Sequence, residues 1–305
     1  MTRDSQPRIG IALGSGASRG WSHIGVVKTL IDAGLEPDIV CGTSVGAMVG
    51  AAYLSGKLEK LEEWVLAANQ LDVVKFFGVR LTGSGFVDTE RFEHFLDQYV
   101  VADGQQIEKF AKPFATVATD VNNGREVWFT EGGALNAVRA SMAMPGLFAT
   151  VSHAGRWLVD GGLVNPVPVS VCHALGADFV IAVNLNAGIL GKRERNRVHE
   201  EADGEPGILE RVRRSAKEYS DSVFPSNRND APGTFDVVAN SINIFQDRIT
   251  RSRLAGDLPD IVIAPKLAHI GMLDFHRAEE AIREGEDRTK RVIDDIAGLA
   301  RNTAR

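Results

Sequence analysis

The sequence predicts an α/β fold built on a mainly parallel, doubly wound sheet, and two observations predict it. Short apolar runs bounded by glycine alternate with segments of helical spacing along the chain. The first two of these runs each break into a glycine-rich turn that opens directly into a helix. Parallel strands need such connections, so both turns belong at the carboxyl edge of the sheet and close to one another.

Arg8-Ile9-Gly10-Ile11-Ala12-Leu13 reads as the first strand, and Gly14-Ser15-Gly16-Ala17-Ser18-Arg19-Gly20 as a loop. Trp21, Ile24, Val27, Leu30 and Ile31 then recur at helical spacing up to Gly34. The second strand starts at Ile39, breaks at Gly42-Thr43-Ser44-Val45-Gly46, and gives way to a helix over 45–54. Helices are expected over 58–71 and 89–99 around a glycine-rich link at 78–85. A strand over 113–120, a hairpin turn at Asn122-Asn123-Gly124 and a return strand over 125–129 follow. The helix over 135–142 stops before Met144-Pro145-Gly146, because proline has no N–H to offer and clashes with the preceding turn. An apolar strand within 153–162 ends in Asp160-Gly161-Gly162, where Asp-Gly is also a common hairpin turn.

After an extended bend at Asn165-Pro166-Val167-Pro168 come a short helix over 171–175 and a buried strand over 178–185. Residues 188–232 change character, with Lys192-Arg193-Glu194-Arg195-Asn196-Arg197 and Arg211-Val212-Arg213-Arg214 set among acids, glycines and prolines. This stretch is expected to be a mobile or partly helical excursion, either a solvated surface loop or a flap whose arginines touch anionic head groups. A helix over 235–254, a strand over 260–265 and one long charged helix over 275–299 close the chain. The expected organisation is a core over 1–187, the excursion over 188–232, and a helix-strand-helix over 233–305 that completes a single domain.

Composition narrows the function. The 305 residues are 44% hydrophobic and 24% charged, which is ordinary for a globular chain. A net charge of −6 argues against binding a nucleic-acid backbone. No signal-peptide core precedes the first strand, and the apolar stretch 39–54 falls short of the roughly 20 residues of a membrane span, so a cytoplasmic protein is expected. Cys41 and Cys172 are the only cysteines, which leaves no disulfide framework or metal cluster; no metal or cofactor is expected. Cys41 stands three residues before Ser44, where a packed core thiol and a catalytic thiol compete as readings.

Gly-x-Ser-x-Gly at a strand-to-helix turn suits a nucleophile. Gly42 and Gly46 give room for a strained turn that lifts the Ser44 hydroxyl out of the sheet, and the helix from Val45 aims its free N–H groups and positive dipole end back at it. The same pattern also fits a tight turn with a capping serine. The loop at 14–20 is open to several readings. A dinucleotide site would want glycine where Arg19 stands, and a phosphate loop would want Gly-Lys-Ser or Gly-Lys-Thr, which is absent. An oxyanion hole using amides near Gly16 and Ala17, or a plain turn, fits without such conflicts. Only one strand and one helix precede Ser44, so the architecture is not that of the common α/β-hydrolases.

A serine hydroxyl needs a base. None of the seven histidines follows a glycine-bounded strand end; His23, in the first turn of the helix after the loop, suits helix packing or capping, or a place near the site. A buried carboxylate can serve instead, and Asp160 alone ends an apolar strand and is backed by two glycines. A Ser44–Asp160 dyad is therefore expected.

These residues resemble the patatin-like phospholipases, and within them the bacterial RssA-like subgroup. The resemblance is carried by Gly14-Ser15-Gly16-Ala17-Ser18-Arg19-Gly20, Gly42-Thr43-Ser44-Val45-Gly46, Ala140-Ser141-Met142-Ala143-Met144-Pro145-Gly146 and Asp160-Gly161-Gly162, in that order from about residue 8 to 185. It implies a three-layer α/β/α sandwich and histidine-free catalysis, with Ser44 as nucleophile, Asp160 as general base and the Gly16 and Ala17 amides as oxyanion hole. Where the family often has three glycines, this chain has Ser15-Gly16-Ala17; serine and alanine still carry N–H groups, so the hole is kept if their dihedrals do not require positive φ.

The expected function is hydrolysis of lipid or lipid-like acyl esters without metal, with transient membrane contact and a possible homo-oligomer through the final helix. A regulatory or scaffold protein acting through partner binding is the alternative, and nucleotide binding at the loop a third.

Overall fold

The computed structural model describes residues 7–68, 88–188 and 234–303. The excursion expected at 188–232, apart from Gly188, and the glycine-rich link at 78–85 lie outside the described residues.

Eight strands form one sheet: β1 (Ile9–Leu13), β2 (Ile39–Thr43), β3 (Phe114–Asp120), β4 (Glu126–Phe129), β5 (Val151–His153), β6 (Arg156–Asp160), β7 (Phe179–Val183) and β8 (Ile261–Ile263). Their order is β5-β6-β3-β2-β1-β7-β8, with β4 pairing β3 as well. The run from β3 through β2, β1 and β7 to β8 is parallel; β4 and β6 pair β3 antiparallel, and β5 pairs β6 antiparallel. The central strands β2 and β7 are buried along their whole length, as continuous apolar runs in a sheet covered on both faces must be.

The helices are α1 (Ser22–Asp32), α2 (Val45–Leu54), α3 (Leu58–Ala67), α4 (Thr89–Tyr99), α5 (Ala134–Ser141), α6 (Val169–Ala174), α7 (Thr234–Leu254), α8 (Ala278–Lys290) and α9 (Ile293–Thr303). Alternate residues of each strand feed two separate cores. Ile11, Leu13 and Val40 pack with α1 to α5 and α8, whereas Ala12, Ile39 and Cys41 pack with α6 and with Leu254 at the end of α7. This is the expected α/β/α sandwich, with one thick helical layer and one thin one.

The branching at β3 sets up the site. Thr116 and Val117 pair with both β2 and β4, so those two strands lie on opposite edges of β3. Ala118 and Thr119 pair with both β4 and β6, so β6 shares its edge with β2. Thr43 lies opposite Val117 and Asp160 opposite Ala118, and the two strands run in opposite directions. The carboxyl ends of β2 and β6 therefore meet head to head on one edge of β3.

One expectation is corrected, one strand gains a partner, and one alternative is set aside. The long helix over 275–299 is a short 3-10 turn at Phe275–Arg277 followed by α8 and α9. Arg288 and Lys290 close α8 while Asp294 and Asp295 open α9, each charge matching its helix dipole, and that sign reversal marks the break. The strand within 153–162 has a partner, β5, joined to β6 through Ala154 and Gly155, both at positive φ as a tight hairpin demands. Asp160-Gly161 is correspondingly no hairpin; Gly161–Leu163 is a 3-10 turn.

Candidate active site

Ser44 sits between β2 and α2 at φ 58° and ψ −124°, a strained conformation for a residue with a Cβ. Neighbouring glycine makes it attainable: a Cβ on Gly46 would lie 2.1 Å from the Leu13 carbonyl oxygen. The Ser44 N–H donates to Ser141 Oγ at 2.8 Å, and Ser141 Oγ donates onward to the Val117 carbonyl at 2.6 Å. Thr43 Oγ1 donates to the Asn165 carbonyl at 2.9 Å, so the turn is held from both sides.

Asp160 arrives from the opposite direction and is fixed by its backbone. Its N–H donates to the Ala143 carbonyl at 2.9 Å, and its carbonyl accepts from Thr119 Oγ1 at 2.8 Å. Gly161 allows the close approach, since a Cβ there would stand 2.1 Å from the Val117 carbonyl oxygen. The carboxylate is buried; Ser44 Oγ donates to Oδ2 at 2.5 Å and the Gly162 N–H to Oδ1 at 2.7 Å. Burial pushes the Asp160 pKa from 3.8 up to about 6, against the two hydrogen bonds, which favour the ionised form.

The glycine-rich loop lies beside Ser44. Among its backbone N–H groups, Gly14 donates to Val183, Ser15 to Pro166, Ser18 to Met272 and Arg19 to Gly16, all at 2.8–3.3 Å. The N–H groups of Gly16 and Ala17 have no such partner among the described residues. Gly20 completes the fit, because a Cβ there would lie 2.2 Å from the Val45 side chain. Ala17 has φ 50°, in the region that favours glycine, while Ser15 stays out of it. Left-handed backbone costs an alanine about 1–2 kcal/mol, and a glycine almost nothing. Arg19 is buried; its Nε donates to the Gly16 carbonyl at 3.0 Å and its Nη2 to Asn243 Oδ1, on α7, at 2.9 Å.

His23 lies under the loop. Its Nε2–H donates to the Gly14 carbonyl at 2.7 Å, and burial pushes its pKa down to about 4, so it is a neutral strut of the loop. Cys41 is buried against Cys172, and burial pushes its thiol well above the usual range, as befits a core residue. Among the described residues no group of three or more His, Cys, Asp or Glu side chains is placed to hold a metal ion.

Ser44 and Ala17 border a narrow apolar cavity of about 40 Å³. Its walls include Trp64, Phe92, Phe95, Met142 and Phe148. Sequence reasoning assigned these no part, because the aromatics come from α3, α4 and the segment after α5, and only the fold gathers them. Ser141 lies inside the Ala140–Gly146 motif with nothing local to mark its role, because its bond to the Ser44 backbone crosses 97 residues.

The sequence model of the family described as patatin-like phospholipase matches residues 11–173. An uncharacterized NTE family protein of Mycobacterium tuberculosis is 31% identical, covering 92% of this chain and 90% of that protein. The lysophospholipase nte1 of Emericella nidulans is 30% identical over 59% of this chain, a match that takes up 12% of the fungal protein. Among solved structures, VipD from Legionella pneumophila superposes with a TM-score of 0.51 at 13% identity, covering 95% of this chain and 67% of that one, a likeness of fold. With the family model matched over more than half of its length and the mycobacterial relative aligned over nearly all of it, the chain belongs to the patatin-like phospholipase family.

Proposed function

We propose that the protein is a lipid acyl hydrolase in which Ser44 is the nucleophile and Asp160 the general base. The observation that carries this reading is the 2.5 Å hydrogen bond from Ser44 Oγ to a buried carboxylate at the edge of an apolar cavity. Ser44 Oγ attacks the ester carbonyl carbon as its proton passes to Asp160 Oδ2. The carbonyl oxygen becomes an oxyanion facing the free N–H groups of Gly16 and Ala17, which stabilise it without a metal. Collapse breaks the ester bond, and the leaving alkoxide takes the proton back from Asp160. Water, giving a proton to Asp160, then attacks the acyl-serine, and Asp160 returns that proton to Ser44 Oγ as the bond to the acyl group breaks and the fatty acid leaves. A carboxylate whose pKa is raised to about 6 is a better base than an exposed aspartate and is still ionised at neutral pH.

The apolar walls support a fatty acyl chain as the group that enters, and the lysophospholipase name of the fungal relative supports a lipid ester. Hydrolysis of p-nitrophenyl esters of rising chain length tests the reading. The wild type is expected to prefer medium or long chains, and Ser44→Ala and Asp160→Asn, folded by circular dichroism, to lose at least about a thousandfold in kcat. An Ser44→Ala protein that keeps its rate would contradict it.

A further inference from the structure

The long helix α7 lies beyond the segment matched by the family model, and its two sides differ in kind. The inner side is polar and buried, through Asn243, Gln246, Asp247 and Thr250 at helical spacing. The outer side exposes Val237, Val238, Ile244 and Phe245, the last of them 59% exposed. At about 100° per residue these four fall within one arc, and Arg248 and Arg251 continue it toward the helix end. From Val237 to Leu254 the only carboxylate is Asp247, and it is buried. Arg251 pairs with it at 2.9 Å yet stays 67% exposed. A chain of net charge −6 thus presents one helical face that is apolar and cationic with no exposed carboxylate.

We propose that this outer face of α7 docks on an anionic lipid surface, lying along it. Valine, isoleucine and phenylalanine side chains enter the boundary of the acyl region while the arginines meet head-group phosphates, the arrangement that holds an amphipathic helix in an interface. No described helix is long and apolar enough to cross a membrane, so the contact is peripheral. The proposal rests on the lipid acyl hydrolase reading, because a water-insoluble ester is met at a surface. The inner side of α7 links that surface to the site. Asn243 holds Arg19 of the glycine-rich loop, and Gln246 Nε2 lies 2.5 Å from the point where a Gly162 Cβ would stand, beside the Asp160 carboxylate. The competing occupant is a second copy of this chain meeting the same face across a two-fold interface.

Co-sedimentation with lipid vesicles tests the proposal. The wild type is expected to bind vesicles containing phosphatidylglycerol, to bind pure phosphatidylcholine far less, and to be released by salt. Ile244→Ser/Phe245→Ser and Arg248→Glu are each expected to weaken that binding about tenfold or more while hydrolysing soluble p-nitrophenyl butyrate at the wild-type rate. Unchanged binding by both variants, or no binding by the wild type, overturns the docking and leaves the catalytic reading standing. So does a dimer in light scattering that the Ile244→Ser/Phe245→Ser variant abolishes. Helix-dependent vesicle binding without any ester hydrolysis supports the docking and removes the catalytic reading.

Discussion

A base that takes a proton from serine works best when it is ionised but poorly hydrated, and Asp160 meets both conditions. Burial raises its pKa, whereas the donors from Ser44 and Gly162 keep it from rising further. The consequence for rate is that kcat/KM should climb about tenfold per pH unit below about pH 6 and level off above it. For stability the sign is opposite. The folded state holds this proton up to about pH 6 whereas the unfolded chain releases it near 3.8, so stability falls as pH rises through that window. At about 1.4 kcal/mol per unit the loss is roughly 3 kcal/mol, and Asp160→Asn escapes it. Thermal melts at pH 4 and pH 8 are expected to show the variant gaining on the wild type at the higher pH, by several degrees. An equal gap at both pH values would mean that Asp160 titrates normally. The candidate residues could be picked out in sequence where chemistry is local: Ser44 between Gly42 and Gly46, and Asp160 before two glycines. Ala17 was not, since nothing in an alanine's identity announces a positive φ.

At the scale of elements, Ser44 and Asp160 meet because β2 and β6 share an edge of β3 and point at each other. The apolar runs revealed β1, β2, β3, β6 and β7, but β5 has three residues, two of them exposed, and carries no run to read. The helical period of α7 was visible, and its buried face was not, because Asn243, Gln246, Asp247 and Thr250 look like a solvated side until partners are known. Asn243 is the clearest case. It accepts from a buried guanidinium, a bond worth about 1.5–3 kcal/mol when one partner is charged. Asn243→Leu is accordingly expected to lower the unfolding free energy in urea by about that amount, and to lower kcat more than it raises KM as the Gly16–Ala17 loop loosens. A variant as stable and as active as the wild type would show that α7 does not position the loop.

On the scale of the whole molecule, the site draws on both ends of the described chain. β8 extends the parallel sheet beside β7, and α8 lies against α1 so closely that a Cβ on Gly285 would stand 2.1 Å from the Ser22 carbonyl oxygen. Met272 accepts from Ser18 of the glycine-rich loop, and α7 grips Arg19. Residues beyond the family match thus brace the loop that the family match contains, a dependence between distant segments that no local pattern encodes. The sandwich as a whole was legible because glycine-bounded apolar runs and helices alternate; how the late elements close over the early ones depends on packing between glycines such as Gly25 and Gly285, which carry no hydrophobic signal. The proposed function requires this assembly to activate a single serine. Labelling with an alkyl fluorophosphonate, read by mass spectrometry of the digested protein, tests that directly. One adduct on the peptide holding Ser44 is expected, absent in Ser44→Ala, formed at least about a hundredfold more slowly in Asp160→Asn, and rising in rate with pH around 6 in the wild type. An adduct on another residue, or equal labelling of Asp160→Asn, would contradict the Ser44–Asp160 account.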